Sequence, residues 1–165
     1  MLKKLDASGL CNSLVKFFKS LLSCRYQYVE YKRCKSVLYS TCSGVTQGSN
    51  LGPVLFILFF NDVFSVFDSN VYVYADDLKI ARPIISDRDC YCLQEDLDKF
   101  YQWCNENKLK INISKCKLIT FNRKNTKIRF NYVIDGHELE EVSHIKDLGI
   151  ILDQSFSFIQ HIECI

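Results

Sequence analysis

Apolar residues recur at helical spacing in two long segments of the chain. One runs from Ser13 to Cys24 and the other from Ser86 to Asn107, where Ser86 followed by Asp89 is typical of a capping box at a helix start. The pattern therefore predicts a helix over each segment. Two further helices are predicted, one over residues 2–8 closed by Gly9, and one capped by Asn50 that begins near Pro53 and ends before Asn70.

Short β-prone runs predict strands between and after these helices. Tyr26–Tyr31 and Val37–Cys42 enclose a basic turn and are predicted to form a strand pair, and Val71–Tyr74 and Leu78–Ala81 enclose an acidic turn. Helices and strands mixed in this way predict an α+β fold. The later strands are predicted at Leu109–Ile113, Lys117–Phe121, Ile128–Ile134 and Ile145–Leu152, with a hairpin turn at Asp135-Gly136.

Length and composition predict a single packed unit. Its 165 residues are 48% hydrophobic and 24% charged, which argues against a disordered or low-complexity protein. The net charge of +2 neither demands nor excludes a polyanionic partner. The strongest apolar run, Val54 to Phe60, is much shorter than the roughly 20 residues that a membrane-spanning helix needs.

The nine cysteines do not indicate a disulfide scaffold or a zinc site. The sequence from Met1 lacks the apolar core of a signal peptide, so a reducing compartment is expected. Cysteines in a CxxC pair are absent, and the histidines are not spaced with the cysteines as zinc ligands would be. Cys104 and Cys116 stand at positions where apolar residues are expected, and we predict that they pack in the core.

The acidic turn is the strongest candidate for chemistry. Asp76 lies beside Asp77 between two apolar arms, and unit charges about 4 Å apart repel by roughly 4 kcal/mol at an effective dielectric constant near 20. Mg²⁺ would remove that cost, since it binds carboxylates together with substrate phosphates and water. A two-metal site could then support nucleotidyl transfer. The alternative is an ordinary solvated turn, because Asp favours turns.

Several ordered motifs make this chain resemble a known family. Tyr74-Ala75-Asp76-Asp77 resembles the signature of reverse transcriptases, and the segment from Gly44 to Pro53 resembles the one that precedes it in retrotransposons of the jockey type, which lack long terminal repeats. The same resemblance continues downstream through Leu93-Gln94-Glu95-Asp96-Leu97, Trp103-Cys104, Asn107, Leu109, Asn112, Lys115-Cys116 and Lys146-Asp147-Leu148-Gly149.

The resemblance implies a polymerase palm, an antiparallel sheet with packed helices, and it implies roles for particular residues. Asp76 would be the metal-bridging carboxylate, and Asp77 would help to hold Mg²⁺ and the primer end. Substrate- or template-binding roles would fall to Gln47, Gly48, Tyr74, Lys115, Leu148 and Gly149. Leu148-Gly149 would form the hairpin that supports the primer terminus. Other interpretations stay open: Gln47-Gly48 as an ordinary turn, Lys115 as a solvated strand-edge lysine, and Leu148-Gly149 as a glycine bend packed under the sheet.

The resemblance also predicts that the chain is incomplete. Residues 1–165 would form a partial palm, because the family's other catalytic aspartate and its fingers lie upstream, and the thumb would be cut off soon after Asp153. Asp6 is in a predicted helix and is not expected to replace that aspartate. Thr46 stands where the family has proline, so the loop loses a fixed φ angle.

Three functions are therefore compared. The first is an RNA-directed DNA polymerase of a mobile element, with RNA template, DNA primer and deoxynucleotides as partners, and with this fragment inactive alone. The second is a noncatalytic remnant that binds nucleic acid or protein, and the third is a relic without a role. The second rests on the basic pairs Lys108 with Lys110, Lys115 with Lys117, and Arg123 with Lys124. The resemblance implies an intracellular protein and favours the nucleus, with the cytoplasm as the alternative. The short apolar runs predict no membrane partner.

Overall fold

A computed structural model describes residues 1–41, 43–45, 48–122 and 128–165. The chain forms two compact units, whereas its length predicts one. The first comprises Met1–Asp62 with Val73–Asp77, and the second comprises Val63–Tyr72 with Leu78–Ile165. Within these ranges the protein contains helices and small, mainly antiparallel strand pairs, so the predicted α+β class is confirmed at that level.

Three helices build the core of the first unit. They are α1 (Leu2–Ala7), α2 (Asn12–Leu22) and α3 (Leu51–Phe60). Gly9, with φ at +74°, separates α1 from α2 as predicted, because glycine has no Cβ to oppose a left-handed backbone. The helices bury one cluster between them, made of Leu5, Phe18 and Leu55.

The start of α3 differs from the prediction. Asn50 precedes the helix, but within the part of the chain that the structure describes its side chain makes no capping hydrogen bond. The Ser49 hydroxyl accepts the Leu51 N–H instead, at 3.2 Å. Pro53 lies in the first turn, where its missing N–H costs nothing, and a 3₁₀ turn over Asn61–Val66 follows the helix.

The predicted basic hairpin is present but broken into two ladders. Strand β1 (Arg25–Gln27) pairs antiparallel with β4 (Tyr39–Thr41). Nearer the tip, β2 (Glu30–Tyr31) pairs antiparallel with β3 (Cys34–Lys35). Cys42, the predicted end of the hairpin, lies outside the described residues.

The acidic hairpin follows the prediction closely. Strand β5 (Asn70–Tyr74) pairs with β6 (Asp77–Ala81), so that only Ala75 and Asp76 form the turn. Its tip, Val73–Asp77, belongs to the first unit.

Helix α4 (Asp87–Glu106) organises the second unit, as its long apolar repeat predicts. The predicted capping box is confirmed, since Ser86 and Asp89 exchange side-chain to backbone hydrogen bonds at the helix start. The apolar face of α4 packs into one cluster of buried residues, Cys90, Leu93, Leu97, Tyr132 and Ile134.

The segment after α4 is less regular than predicted. The strand predicted over Leu109–Ile113 is wrong, because a 3₁₀ turn forms over Ile113–Lys115. The N–H groups of Lys115 and Cys116 donate to the carbonyl oxygens of Asn112 and Ile113 at 3.0 and 2.9 Å, so these backbone groups are not available for strand pairing. The next predicted strand shrinks to β7 (Lys117–Leu118).

A two-residue hairpin follows where Asp135-Gly136 predicts it. Strand β8 (Val133–Ile134) pairs antiparallel with β9 (His137–Glu138), so the longer strand predicted from Ile128 is wrong in extent. Asp135 and Gly136 have φ at +51° and +73°, as a hairpin of this type requires.

The Gln94 side chain ties β8 to α4. Its amide nitrogen donates to the Val133 carbonyl at 2.8 Å, and its oxygen accepts the Val133 N–H at 2.9 Å. Strand β10 (Glu140–Glu141) then pairs with β7, and this pair is parallel.

The last predicted strand, Ile145–Leu152, is in fact a hairpin. Strand β11 (His144–Asp147) pairs antiparallel with β12 (Ile150–Asp153), and the chain reverses at Leu148 and Gly149. A single strand is excluded because these two residues have φ at +47° and +90°. A short helix, α5 (Ile159–Glu163), ends the described chain.

The structure bears on two expectations: that Cys104 and Cys116 pack in the core, and that the apolar runs are too short to span a membrane. Cys104 is buried as predicted, and burial raises the pKa of its thiol to about 11, whereas Cys116 is only half-buried. No helix in the described segments is long and apolar enough to cross a membrane.

Candidate functional site

The acidic turn presents two neighbouring carboxylates at the end of a hairpin. Asp76 is in the turn and Asp77 is the first residue of β6, and both are exposed. Ala75 has φ at +52°, a backbone conformation that non-glycine residues seldom adopt. Tyr74 ends β5 with 65% of its surface exposed. The structure thus places Tyr74, Asp76 and Asp77 together on one exposed turn.

These carboxylates offer hard oxygen atoms of the kind that Mg²⁺ binds. A turn of this type supplies one or two carboxylates, and substrate phosphates and water complete the coordination of Mg²⁺ at comparable sites. The described residues contain no group of three or more His, Cys, Asp or Glu side chains that could hold a metal ion. Two exposed carboxylates at one turn fit a metal ion whose other ligands are substrate phosphates and water.

A buried carboxylate in the second unit holds the start of β5. Asp96 on α4 is 0% exposed, and its two oxygens accept the N–H groups of Asp68 and Ser69 at 3.0 and 2.9 Å. Hydrogen bonds to a charged acceptor are stronger than neutral ones. The two residues that lead into β5 are thus fixed to α4 through their main chain.

Lys99 completes this network one turn further along α4. Its ammonium lies 2.7 Å from the Asp68 carboxylate and 3.8 Å from that of Asp96. The hydrogen bond from Lys99 lowers the pKa of Asp68, and the same bond raises the pKa of Lys99. The cation thus neutralises part of the charge that two neighbouring carboxylates bring together.

Sequence reasoning did not assign a role to Asp96. A signal was nevertheless present, because Asp96 lies at helical spacing between Leu93 and Phe100, inside the apolar stripe of α4. A charged residue on the inward face of a helix needs polar partners. The sequence does not reveal which backbone groups those partners are.

Arg82, just after β6, connects the other arm of the hairpin to the same region. Its guanidinium donates to the Ser69 hydroxyl at 3.2 Å and lies 4.0 Å from the Asp89 carboxylate. Hydrogen bonds from the N–H groups of Ile85 and Ser86, and from the Ser86 hydroxyl, lower the pKa of Asp89. The base of the acidic hairpin is therefore held on both strands by residues of the second unit.

The second predicted site turn, Leu148-Gly149, is an exposed hairpin end. Leu148 is 53% exposed, so the alternative of a bend packed under the sheet is wrong for this turn. An ion pair of 2.6 Å between Lys79 and Asp147 joins β6 to β11 within the second unit. Sequence reasoning missed this pair, because nothing in either local sequence indicates its partner.

The glycine-rich loop is described only in part. Gln47, a predicted template-binding residue, and Thr46 lie outside the described residues. Gly44 and Gly48 both have φ at +77°, a conformation that suits glycine. The Arg25 guanidinium donates to the carbonyl oxygens of Ser43 and Gly44 at 3.1 and 2.6 Å, which ties the start of this loop to β1.

The basic candidates do not form a strand-edge patch. Lys115 is exposed at the end of the 3₁₀ turn, so its predicted place on a strand edge is wrong. The Lys117 ammonium forms an ion pair with the Glu140 carboxylate at 2.5 Å. The carboxylate offsets the positive charge that Lys117 would present to a phosphate. Lys108 and Lys110 are exposed, and the predicted pair Arg123 and Lys124 lies outside the described part of the chain.

Comparison with known proteins connects this geometry to one family. Residues 2–152 match the family model described as "Reverse transcriptase (RNA-dependent DNA polymerase)". The chain is 33% identical over 168 residues to the "RNA-directed DNA polymerase from mobile element jockey" of Drosophila funebris. The aligned region covers 94% of this chain and 18% of that polymerase. No solved structure matches the chain.

Two further relatives show the same partial coverage. The jockey polymerase of Drosophila melanogaster is 32% identical, over 87% of this chain and 17% of its own length. The "Probable RNA-directed DNA polymerase from transposon X-element" of the same species is 27% identical, over 87% of this chain and 16% of its length. The chain thus spans less than a fifth of these relatives.

Proposed function

This chain belongs to the reverse transcriptase family, and from that premise we propose that it is part of the RNA-directed DNA polymerase domain of a mobile element. The observation that carries the proposal is the pair Asp76 and Asp77, exposed at the turn of a hairpin. Its strands are held at their base by Asp96 and Arg82. A carboxylate pair on a braced support suits a reaction that needs precise placement of charge.

The fold assigned by this proposal is a partial polymerase palm over residues 1–165. The support is a hairpin that carries the acidic turn, a long helix beside its base, and a further hairpin at Leu148-Gly149. The fingers and the first catalytic strand would then precede Met1 in the complete polymerase. The thumb would follow soon after Asp153.

Each site residue has a role in this proposal. Asp76 and Asp77 would hold the Mg²⁺ ions, and Asp77 would also hold the primer end. Gln47 and Gly48 would lie against the template and the incoming nucleotide, and Tyr74 would bind substrate or template. Lys115 neutralises the departing pyrophosphate, and the Leu148-Gly149 turn supports the primer terminus.

Bound Mg²⁺ would activate the primer hydroxyl and neutralise charge on the leaving pyrophosphate. The chain's own contribution is to hold two carboxylates side by side in a turn where water and substrate phosphates can reach them. The exposure of Asp76 and Asp77 supports this arrangement, since buried acidic groups would exclude phosphate ligands. RNA template, DNA primer and deoxynucleotides are the partners, and the nucleus is the proposed location.

The first test is metal binding at the acidic turn. We expect Mn²⁺, a paramagnetic substitute for Mg²⁺, to broaden the amide NMR signals of residues 75–78 and to lose this effect in Asp76→Asn. Asp135→Asn is the matched control, because Asp135 is an exposed aspartate in another two-residue hairpin turn. Broadening that is equal at both turns, or that persists in Asp76→Asn, would contradict a metal site at Asp76.

Primer extension tests activity separately. We expect the chain alone to show little extension with Mg²⁺, because the third carboxylate of the family's site is not supplied. Robust extension that disappears in Asp76→Asn would refute inactivity of the fragment while supporting the assigned catalytic residue.

A noncatalytic remnant that binds nucleic acid or protein is the second candidate function. The exposed cations Lys108 and Lys110 favour it. Binding to single strands that weakens steeply with salt, in a chain that does not bind metal at Asp76, would favour this candidate over the polymerase.

A further inference from the structure

The basic hairpin of the first unit lies outside the motifs that define the proposed site. Strands β2 and β3 form its tip, and Lys32 and Arg33 make the two-residue turn with φ at +47° and +66°. Long cationic side chains in left-handed backbone at a hairpin end are held out into solvent. The turn thus exposes two cations side by side, and Lys35 on β3 adds a third.

The charge at this tip is poorly balanced. Glu30 is the acidic residue of the paired strands, and it lies 3.9 Å from the Lys35 ammonium. Both side chains are about half exposed, at 49% and 58%, so their attraction is weakened by water. Three cations against one carboxylate leave a positive surface that fits a polyanion.

The same hairpin carries exposed tyrosines. Tyr31 is 70% exposed and Tyr26 is 68% exposed, although aromatic side chains usually contribute buried area. The Lys32 ammonium lies 5.3 Å from the ring centre of Tyr31, and that of Lys35 lies 4.9 Å from the ring centre of Tyr28. Glu30 pairs with Lys35 and Tyr31 pairs with Cys34, so the two contacts between a cation and an aromatic ring lie on opposite faces of the hairpin tip. A flexible strand that passes over the tip can reach both.

We propose that this surface, Tyr26, Tyr28, Tyr31, Lys32, Arg33 and Lys35, binds single-stranded nucleic acid. Bases can stack on the tyrosine rings while phosphates pair with the cations, so both parts of the surface are satisfied by one ligand. An apolar partner would have to desolvate three cations without compensation. The inference deepens the proposed polymerase function, on which it rests, by locating a surface for an unpaired strand away from the acidic turn.

A second copy of the chain is the competing occupant. Val37 and Leu38, which follow the tip, are 85% and 67% exposed and could be covered in a dimer. They lie between β3 and β4 rather than at the charged turn. The distribution of charge favours nucleic acid, and the oligomeric state is measured as one arm of the test.

The test measures affinity of the full chain for a fluorescein-labelled single-stranded RNA by anisotropy, at several salt concentrations and with EDTA. Each phosphate contact to a single strand contributes about 0.7 to the slope of log K against log salt. We expect the triple variant Lys32→Gln, Arg33→Gln, Lys35→Gln to reduce that slope by about 2. The matched control is Lys16→Gln with Lys19→Gln, two exposed lysines on α2, which we expect to leave the slope unchanged.

The tyrosines are tested in the same assay. We expect Tyr31→Ala to weaken binding about 5- to 150-fold, the range for loss of one base–aromatic stack. Tyr31→Phe retains the ring and is expected to bind like the parent chain. Tyr72→Ala, at another exposed tyrosine on β5, is the control.

Several results would overturn the proposal. They are an absence of RNA binding, an unchanged salt slope in the triple variant, or a chain that dimerises in sedimentation and becomes monomeric in Tyr31→Ala. RNA binding that fails while Mn²⁺ still binds at Asp76 would overturn this inference and leave the proposed polymerase site standing. RNA binding in a chain that does not bind Mn²⁺ at Asp76 would contradict the proposed site and leave this inference standing.

Discussion

Replacement of Asp96 should loosen the base of the acidic hairpin. Asp96 is fully buried on α4, and both of its oxygens accept main-chain N–H groups, from Asp68 and Ser69. Asp96→Asn keeps one acceptor oxygen but turns an NH₂ group toward the second N–H. Asp96→Ala removes both acceptors. The two variants therefore delete one and two hydrogen bonds at the same place.

The magnitude follows from the number of bonds lost. A hydrogen bond to a charged acceptor contributes about 1.5–3 kcal/mol, so Asp96→Asn should lower the free energy of unfolding by about 2 kcal/mol. Asp96→Ala should lower it by about 3–5 kcal/mol, since two donors are left without partners. Part of the loss is offset because a carboxylate no longer has to be desolvated.

Urea denaturation and native-state hydrogen exchange together measure this effect. We expect a lower urea midpoint in both variants, and exchange at the amides of Asp68 and Ser69 that is at least tenfold faster in Asp96→Asn. The matched control is Asp98→Asn on the same helix, because Asp98 is exposed and accepts only the Gln94 side chain among its described contacts, at 2.8 Å. That change should alter stability by no more than about 0.5 kcal/mol.

One outcome would refute the reasoning about Asp96. If Asp96→Asn and Asp98→Asn lowered stability equally, or if exchange at residues 68 and 69 stayed unchanged in Asp96→Asn, the two main-chain bonds would not hold the start of β5.

Three further predictions concern other parts of the second unit. Ser86→Ala should lower the free energy of unfolding by about 1 kcal/mol in urea, through loss of the capping box, and an unaltered midpoint would contradict this. Burial raises the pKa of the Cys104 thiol to about 11, so Cys104 should resist a thiol reagent at pH 8 in the folded chain. The exposed Cys34 should react under the same conditions. Equal rates of modification by mass spectrometry would be inconsistent with the burial of Cys104. Hydrogen bonds from the Ser155 hydroxyl and from Ser157 hold the pKa of Asp153 well below its usual range. Because the folded-state pKa is lowered, this stabilisation is complete above about pH 4 and is lost as pH falls through the folded-state pKa. The amide signals of Ser155 and Ser157 should therefore stay constant from pH 6 to 4 and shift at lower pH, and Asp153→Asn should abolish that shift.

The helices and turns were predictable where a few neighbouring residues determine them. The apolar repeat and the Ser86–Asp89 capping box predict α4, and Asp135-Gly136 predicts its hairpin. Strand lengths were predicted less well, because pairing depends on a partner that is distant in sequence. The run at Leu109–Ile113 is typical of a strand, yet backbone hydrogen bonds from Lys115 and Cys116 to Asn112 and Ile113 form a 3₁₀ turn at its end.

At the candidate site, too, the local motifs were predictable and the long-range contacts were not. The sequence alone identified the acidic turn and the family, since Tyr74 to Asp77 and the motifs around them are contiguous or regularly spaced. It did not identify Asp96 or Arg82 as supports of the hairpin, nor the pair formed by Lys79 and Asp147. Their partners are brought near only by folding.

The sequence by itself determined that two neighbouring carboxylates lie in a hairpin turn, because the side chains and the residues that form the turn are adjacent in the chain. Only the tertiary structure decided how that turn is supported. A buried carboxylate such as Asp96 is stable only when packing places donors within hydrogen-bonding distance, and those donors belong to a segment nearly thirty residues away along the chain. Long-range geometry of this kind has no local pattern in the amino-acid sequence.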